Sequence, residues 1–502
     1  MNRTAGILLS ITSLASKYGI GCFSKTAYEF VDWLKEAGQT YWQILPLGPT
    51  SFGDSPYQSF STYAGNPYFI SLEALIEEGL LTAEECDAVV FGENEKEVDY
   101  EKIYNGRFQL LRKAYERSNI SQNPEYSEYM QKNNWWLSDY ALFMAVKDRF
   151  AGKPWTEWAE DIRLRWGNAM EYYRHELYFD IEFQQFLQFT FYRQWMSLKR
   201  YANEKGIKII GDIPIYVAMD SADTWAHPEL FQLDQDNVPV AVAGCPPDGF
   251  SATGQLWGNP LYRWDYHNWT GFDWWMKRLA HCFEMYDVVR IDHFRVFDEY
   301  FSIPYGAETA AGGHWEKGPG VALFRRMKQV LGNREVIAED LGYMTDSVRQ
   351  LVKDSEFPGM KVLEFAFDSR DSGCANDYLP HNYNENCVAY TGTHDNETIT
   401  GWLQSITQEE RQMVRDYLCD YYTPDQELYR SLVGLVLQSK ADMAIIPMQD
   451  YLGKGNETRM NQPSTVGINW KWRLKPEDLS EDLKNEIYSM TKRYGRLGDQ
   501  WR

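Results

Sequence analysis

The chain has 502 residues, with 50 basic and 72 acidic side chains and a net charge of −22 at neutral pH. This excess of negative charge argues against nucleic acid or an anionic membrane surface as the partner, because both are bound through a positively charged surface. Aromatic residues make up 16% of the chain, including 19 Trp and 34 Tyr, a composition that suits either an aromatic-rich core or rings that stack against sugars.

The amino-terminal segment contains one stretch that resembles a secretion signal, residues 5–15 after Arg3. Glycine and hydroxyl residues interrupt this stretch, so we interpret it as the first strand of a sheet rather than as a signal peptide. The 7 Cys residues are scattered and contain no Cys-x-x-Cys pair, as expected for reduced thiols. No apolar run approaches the ~18 residues of a membrane helix. These features predict a cytoplasmic protein that is not bound to a membrane.

Eight short apolar runs alternate with helical patterns along the chain. Strands are predicted at 6–9, 41–47, 207–213, 288–293, 336–339, 362–366, 388–391 and 443–447. Helices are predicted between most of them, for example at 25–37, 274–283, 323–331 and 345–353. Eight strand–helix units with right-handed crossovers close most simply into a barrel. We therefore predict an α/β fold, a single (β/α)8 TIM barrel over residues 1–502, with a final helix and no C-terminal β-sandwich.

The two longest gaps between predicted strands indicate large insertions on the C-terminal face of the barrel. Residues 66–200, between the second and third strands, show helical patterns that include a long amphipathic run at 170–204. We expect this mainly helical insertion to wall one side of the site, because the loops that follow barrel strands open on that face. A second insertion, rich in loops, is predicted at 217–272 after the third strand.

Two stretches rich in glycine are predicted to be irregular loops. Residues 243–260 contain several Gly and Pro residues together with Phe250 and Trp257, and such a stretch could form a lid over bound substrate. The alternative is a plain connection held in place by its aromatic residues. Residues 312–320 lack the order of residues that marks a phosphate-binding loop, so we interpret them as a loop without that function.

Acidic residues follow three of the predicted strands. Asp292, Glu339 and Asp395 come after the fourth, fifth and seventh strands, where a barrel presents side chains to its site. Like charges that are brought together raise one another's pKa, so such a cluster is costly unless it has a use. Cleavage of a glycosidic bond requires this set: one carboxylate that attacks, one carboxylic acid that protonates the leaving oxygen, and a further acid that holds the sugar.

Short motifs occur in a characteristic order over nearly the whole chain. They are Ser-Pro-Tyr-Gln at 55–58, Ala-Gly-Asn-Pro at 64–67, Gly-Asp-Ile-Pro at 211–214, Arg-Ile-Asp-His-Phe-Arg at 290–295, Ala-Glu-Asp-Leu-Gly at 338–342, Gly-Met-Lys-Val-Leu at 359–363, Gly-Thr-His-Asp-Asn at 392–396 and Asn-Trp at 469–470. The ordered set resembles the 4-α-glucanotransferases of glycoside hydrolase family 77, also called amylomaltases or disproportionating enzymes. One such motif alone would carry little weight, but the series is specific.

The resemblance implies transfer of α-1,4-glucan segments from a maltooligosaccharide to the 4-hydroxyl of an acceptor glucan or glucose, with retention and a covalent intermediate. It implies that Asp292 is the nucleophile, Glu339 the general acid/base and Asp395 the residue that distorts and stabilises the reacting glucosyl unit. Arg290 and His394 match residues that hold the nucleophile and the sugar hydroxyls. The positions implied to line the donor and acceptor subsites are Tyr57, which would serve as a stacking platform, Asp212, Gln255, Trp257 and Asp368.

Two positions depart from the pattern of the family. Gly249 lies in the predicted lid, where a bulkier residue is expected, and this leaves the stiffness of the lid and the preferred acceptor open. Ser464 occupies a position where glycine is usual, which affects a local turn.

The chemistry makes three further demands on the acids. In a retaining enzyme the nucleophile and the acid lie about 5–5.5 Å apart. We expect the guanidinium of Arg290 to keep Asp292 ionised, and we expect partial burial beside anionic neighbours to raise the pKa of Glu339 toward ~6.

Other functions remain compatible with these residues. An α-glucan hydrolase would share every catalytic residue and differ only in using water as the acceptor. A barrel that merely binds glycogen-like polymers would have no need for three intact acids with Arg and His neighbours. No cofactor or metal is expected, because the 8 His residues show no ligand spacing and no EF-hand pattern is present.

Overall fold

The computed structural model describes residues 3–51, 53–247, 252–342, 344–370 and 376–498. Strands within these ranges are, in chain order, β1 (Thr4–Leu8), β2 (Tyr41–Gln43), β3 (Lys208–Ile213), β4 (Ala241–Cys245), β5 (Gln255–Pro260), β6 (Val288–Ile291), β7 (Glu299–Pro304), β8 (His314–Lys317), β9 (Val336–Ala338), β10 (Gly359–Val362), β11 (Cys387–Tyr390) and β12 (Met443–Pro447).

Eight of these strands form a closed parallel barrel in the order β1-β12-β11-β10-β9-β6-β3-β2. The short strands are buried on both faces because the barrel interior fills with side chains while helices cover the outside. Gly6 pairs with both neighbouring strands, and a Cβ at this position would lie 2.6 Å from Cβ of Tyr41. The predicted α/β barrel is therefore confirmed, and seven of the eight predicted strands coincide with barrel strands.

The sixth predicted strand, at 362–366, is wrong in its position. β10 ends at Val362, and residues Leu363–Phe365 form a 3₁₀ turn. The apolar run continues past the strand because Leu363 is fully buried at the barrel mouth, so its hydrophobicity reflects burial in a turn rather than continued pairing.

Helices cover the outside of the barrel and fill the long gap between β2 and β3. They are α1 (Lys25–Glu36), α2 (Leu72–Glu77), α3 (Ala83–Asp87), α4 (Tyr100–Ser118), α5 (Pro124–Arg149), α6 (Glu160–Arg163), α7 (Gly167–Glu176), α8 (Tyr178–Glu204), α9 (Ala222–Ala226), α10 (Trp264–Trp269), α11 (Asp273–Met285), α12 (Ala322–Leu331), α13 (Asp346–Ser355), α14 (Ile399–Ser405), α15 (Gln408–Leu418), α16 (Leu428–Gln438), α17 (Met448–Tyr451) and α18 (Glu481–Arg493).

The gap between β2 and β3 holds α2 to α8. The run predicted at 170–204 is divided at Leu177 into α7 and α8. α8 packs along α5 and also reaches α1 on the barrel wall, so the insertion shares its core with the barrel. No helix in the described part of the chain combines the length and apolarity that crossing a bilayer requires.

The two stretches predicted to be irregular contribute to a second sheet, with the antiparallel order β5-β4-β7-β8. Gly244 lets β4 and β5 approach closely, because a Cβ there would lie 2.1 Å from the carbonyl oxygen of Gln255. Glycine thus serves strand pairing here, and the prediction of loops at 243–260 and 312–320 is wrong in part. Phe250 and Gly249 lie outside the described residues.

Candidate active site

Three acids lie at the C-terminal ends of barrel strands. Asp292 directly follows β6, Glu339 directly follows β9, and Asp395 lies on the loop after β11. Asp292 and Asp395 line a cleft of about 630 Å³, which is also lined by Tyr57, His394, Gln255, Trp257, Asn461, Ser464 and Trp470. The closed barrel brings these distant parts of the chain to one rim because parallel strands end on the same face.

Arg290 links two of the carboxylates. It lies on β6 beside Asp212 of β3, and its Nη1 donates to both carboxylate oxygens of Asp212 at 2.7 Å and to Oδ1 of Asp292 at 3.1 Å. Arg290 and Asp212 are almost fully buried, whereas 26% of the Asp292 side chain remains exposed. One guanidinium therefore compensates two carboxylates and fixes the direction in which Asp292 points.

Burial nevertheless raises the pKa of Asp292, to about 6, even though Arg290 opposes the shift. Arg290 lowers this pKa, so the prediction that its guanidinium favours the ionised form of Asp292 is confirmed. Burial outweighs Arg290, and the charge of Asp212 raises the pKa of Asp292 further. Asp292 remains mostly ionised at neutral pH.

Glu339 is held by two backbone amides. Its Oε2 accepts a hydrogen bond from the N–H of His293 at 2.6 Å, and its Oε1 accepts one from Leu341 at 2.9 Å. His293 adopts a left-handed conformation with φ of 47°, which is uncommon for a residue with a side chain. Burial raises the pKa of Glu339 to about 7, and the charge of Asp292 adds to this effect, while Arg290 opposes it. The predicted upward direction is confirmed.

Asp395 has the opposite electrostatic environment. Withdrawal from water opposes its ionisation, but the ring of His394, 3.3 Å from Oδ2, and the amide of Asn461, which donates to Oδ1 at 2.6 Å, lower its pKa to about 2. Arg459 donates to the backbone oxygen of Asp395 at 2.7 Å. The carboxylate of Asp395 is therefore fixed and charged at any physiological pH.

Tyr57 connects the group of Asp212, Arg290 and Asp292 with the pair of His394 and Asp395. Its hydroxyl donates to Oδ2 of Asp212 at 2.7 Å, and its ring stacks on the ring of His394 with centroids 4.7 Å apart. One face of Tyr57 is thus occupied by protein, which limits the role of stacking platform that we predicted for it to the other face.

Gln255 and Trp257 reach the cleft from β5 of the second sheet. Nε1 of Trp257 donates to Oε1 of Gln255 at 3.0 Å, and the Trp257 ring lies edge-on to His293 with centroids 5.0 Å apart. Four of the predicted site residues do not line the cleft, namely Asp212, Arg290, Glu339 and Asp368. The first three interact electrostatically with Asp292 behind the cleft wall, whereas Asp368 pairs with Arg370 at 2.7 Å.

Sequence reasoning assigned no site role to the residues of the segment that follows α17. Asn461 and Arg459 hold Asp395, and Trp470 lies 5.9 Å from Tyr57 and 6.1 Å from His394 between ring centroids. A signal was present in the Asn-Trp motif at 469–470, but that motif follows no strand, so the rule that locates acids at strand ends could not find it.

Each acid of the site has its own protein partners: Arg290 for Asp292, two backbone amides for Glu339, and His394 and Asn461 for Asp395. Among the described residues, no group of three or more His, Cys, Asp or Glu side chains is arranged to hold a metal ion. The site supplies two carboxyl groups that can gain and lose a proton, Asp292 and Glu339, beside the charged carboxylate of Asp395 and the guanidinium of Arg290.

Comparison with known proteins gives a consistent result. The family model described as 4-alpha-glucanotransferase matches residues 9–480. The 4-alpha-glucanotransferase of Clostridium butyricum is 48% identical over 97% of this chain and 100% of its own length. That of Thermus thermophilus is 44% identical over 99% of each chain. The structure of amylomaltase from Streptococcus agalactiae in complex with acarbose superposes with a TM-score of 0.95, at 43% identity over 99% of this chain and 100% of that one.

Proposed function

The chain belongs to the 4-alpha-glucanotransferase family and has the transferase activity of that family, and we propose that it acts by retaining double displacement through a covalent glycosyl ester on Asp292. The donor and acceptor in this proposal are α-1,4-linked glucans and maltooligosaccharides. The Streptococcus agalactiae relative is described in complex with acarbose, which supports a saccharide in the corresponding cleft.

One observation carries the mechanism: the two neighbouring carboxyl groups have different surroundings. Arg290 donates to Asp292 and favours the charge that a nucleophile needs. Glu339 is buried, and burial raises its pKa to about 7, which suits an acid that must carry a proton. Environments that push two carboxyl groups apart in this way assign the two roles. The separation that retention demands is about 5–5.5 Å.

In the first step, an oxygen of Asp292 attacks the anomeric carbon while Glu339 gives its proton to the glycosidic oxygen. The bond between that oxygen and the anomeric carbon breaks, so the shortened glucan leaves with a free 4-hydroxyl and the other segment remains as an ester on Asp292. In the second step, Glu339 takes a proton from the 4-hydroxyl of the acceptor, and the new oxygen bond displaces Asp292. The enzyme returns to its starting protonation state.

Asp395 and His394 hold the reacting glucosyl unit in this proposal. Asp395 carries a permanent charge and is fixed by Asn461, so it can accept hydrogen bonds from two sugar hydroxyls without reorganising. Arg290 stabilises Asp292 as the leaving carboxylate of the second step.

The choice between a glucan and water as acceptor lies outside the carboxyl groups. We propose that Trp257 and Gln255, on the sheet beside the cleft, favour a sugar over water by covering the ester. Trp257→Ala is expected to raise the ratio of hydrolysis to transfer, and an unchanged ratio would contradict this role.

The experiment that tests the proposed function is product analysis from maltotriose. Glucose together with maltopentaose and longer chains is expected, because each transfer moves a maltosyl segment onto another maltotriose. Glucose and maltose alone would indicate a hydrolase. For the covalent step, mass spectrometry after brief reaction with a fluorinated maltosyl donor should find the label on Asp292, and a label on another residue would overturn the assignment.

A further inference from the structure

A second cleft lies outside the active site. It has a volume of about 260 Å³ and opens between α5, α9, α10 and the first turn of α11. It shares no lining residue with the active-site cleft. We call it the side cleft and define it by its aromatic residues Tyr63, Trp135, Trp136, Tyr266 and Trp274.

The aromatic rings of the side cleft combine rigidity with access. Trp135 leaves 45% of its surface exposed, and its ring is braced edge-on by Tyr63 with centroids 4.8 Å apart. Trp274 is buried, and its Nε1 has no hydrogen-bond partner among the described residues. An exposed indole on a well-packed helix suits the apolar C–H face of a sugar ring at a small cost in conformational entropy.

Two acids of the side cleft are paired with basic residues, and a third, Asp223, accepts hydrogen bonds from Thr62. Asp139 pairs with Arg165 at 2.8 Å, and Asp273 pairs with Lys277 at 2.7 Å. A carboxylate that is paired in this way still has lone pairs that can accept hydrogen bonds from hydroxyl groups. Because its charge is already neutralised by a protein group, it does not require a positively charged ligand. The net negative charge of the chain disfavours phosphate-bearing ligands at this place. Rings with fixed acceptors around them are therefore suited to a neutral polyhydroxyl ligand.

The position of the side cleft relates it to the active site. Barrel helices run opposite to the strands, so the first turn of α11, which contains Asp273, lies toward the C-terminal ends of the strands. The active-site cleft opens at that same end. Tyr63 also lines a small cavity that is lined by Tyr57 and Asp212 of the active site, so one cavity borders residues of both sites.

We propose that the side cleft is a second binding site for α-glucan chains, which holds one part of a polymeric donor while another part occupies the active site. The class of ligand rests on the proposed function, whereas the existence of a saccharide site rests on Trp135 and its surroundings. A second contact along the same chain increases the effective concentration of the polymer at the active site. Short donors cannot span both sites and gain nothing from the second one.

The test compares Trp135→Ala with Trp166→Ala, a control at an indole that is exposed to a similar extent, 48%, and lies outside the side cleft. Steady-state rates are measured with maltotriose and with amylose, and migration is measured in native gels that contain amylopectin. Trp135→Ala should raise KM for amylose by about 3–10-fold, the range expected for one lost ring contact. It should weaken retardation by amylopectin and leave kcat/KM for maltotriose within twofold, and Trp166→Ala should change none of these.

Unchanged amylose kinetics and gel retardation in Trp135→Ala would overturn the inference, as would an equal effect of Trp166→Ala. Trp135→Phe provides a variant that keeps apolar packing if Trp135→Ala proves unstable, and it should give an intermediate effect. The outcomes separate the two proposals. If the wild-type protein fails to lengthen maltotriose but loses amylopectin retardation on substitution of Trp135 alone, the proposed function fails while the side cleft stands.

Discussion

Two groups of carboxyl groups with raised pKa values lie at the C-terminal ends of the barrel strands and behind the loop at 391–399, and they differ in access and in charge compensation. The first group, Asp292 and Glu339, lies at the ends of β6 and β9, where Asp292 lines the active-site cleft. The second group, Glu364 and Asp450, lies in the interior behind the loop. Burial raises the pKa in all four cases, so a raised pKa alone does not distinguish a catalytic acid from a structural one.

The interior group supports the loop mechanically. Asp450 accepts hydrogen bonds from Oγ1 of Thr391 at 2.5 Å and from the N–H of Ile399 at 2.8 Å. The backbone N–H of Glu364 donates to the carbonyl oxygen of Thr391, and a Cβ on Gly392 would lie 2.6 Å from Oε1 of Glu364. The interior carboxyl groups thus define where the loop begins and how closely it can pack.

The difference lies in access and in charge compensation. Arg290 forms an ion pair in the cleft and opposes the shift of both cleft acids. Burial and the charge of Asp450 raise the pKa of Glu364 well above its ordinary value and so favour its neutral form. A carboxyl group that is poised between its two states beside a cation and an open cleft can exchange protons with a substrate, and one that is buried and neutral cannot.

The largest expected effect comes from replacing one carboxyl group of each group by the neutral amide of the same size. Asp292→Asn should reduce transfer from maltotriose by at least about 10³-fold, since it removes the nucleophile. Glu364→Gln imitates a neutral carboxyl group and should keep the rate within about threefold. Initial rates of glucose release decide between them. Equal losses in the two variants would show that the comparison between cleft and interior is mistaken.

The next effect separates proton transfer from other roles in the cleft. Glu339→Gln should lower the rate with maltotriose by about 10²–10⁴-fold, the range typical of a lost general acid. With α-maltosyl fluoride as donor, the loss in the first step should be much smaller, because fluoride leaves without a proton. Added azide should restore turnover in the second step, because it attacks the ester on Asp292 without needing a base to remove a proton. A loss that is the same for both donors would contradict the role of Glu339 as acid.

The pH dependence of the wild-type rate sharpens the same contrast. Asp292 must be ionised and Glu339 protonated, so kcat/KM should fall as the pH drops below about 6 and again as it rises above about 7. These two values belong to the pair rather than to either residue alone. Glu364→Gln should move neither limb, because burial favours the neutral form that glutamine imitates. Profiles of initial rate against pH at subsaturating maltotriose measure both limbs, and a limb displaced by Glu364→Gln would make the interior group part of the titration.

A smaller effect on stability should come from the interior group. Burial raises the pKa of Asp450 to about 7, above its value in the unfolded chain, so the folded state binds more protons between about pH 4 and pH 7. The free energy of unfolding of the wild type therefore falls as the pH rises through this window. Asp450→Asn lacks this titration. Its free energy of unfolding, taken relative to that of the wild type, should therefore rise by about 1–3 kcal/mol from pH 5 to pH 8. Calorimetric melting temperatures at the two pH values test this difference, and a constant difference would show that Asp450 does not titrate in the window.

The contrast between cleft and interior also explains how far sequence reasoning reached. Asp292 and Glu339 could be placed in advance because each directly follows an apolar strand, and in a barrel that position alone selects the face. The end of β10 could not be placed, because Leu363 is apolar for a reason other than strand pairing. A buried apolar residue has the same appearance in a sequence whether it lies in a strand or in a turn at the barrel mouth.

The residues that were missed or misplaced depend on contacts that are distant along the chain. Asn461 lies 66 positions from Asp395 and holds it, and no periodic pattern marks such a contact. Gly244 indicated a loop, but the close approach of two antiparallel strands requires glycine just as a turn does. The contribution of Gln255 and Trp257 to the cleft could be predicted from the resemblance of the motifs, whereas the sheet that carries them could not.

The smallest expected effect concerns backbone strain at the rim of the cleft. Ser464 lines the cleft with φ of 64°, a left-handed conformation that costs a residue with a side chain about 1 kcal/mol. Ser464→Gly should therefore raise the free energy of unfolding by about 0.5–1 kcal/mol, less any entropy that glycine adds to the unfolded chain.

The matched control is Asn237→Gly, at a left-handed turn with φ of 61° that is remote from the cleft wall. Asparagine tolerates this conformation better than serine, so the control should gain less stability. Melting temperatures of the two variants give the comparison, and rates with maltotriose should stay within twofold in both. A destabilised Ser464→Gly would mean that contacts of the serine side chain outweigh its backbone strain, and that the rim, like the interior group, is held by side chains rather than by the conformation of the chain.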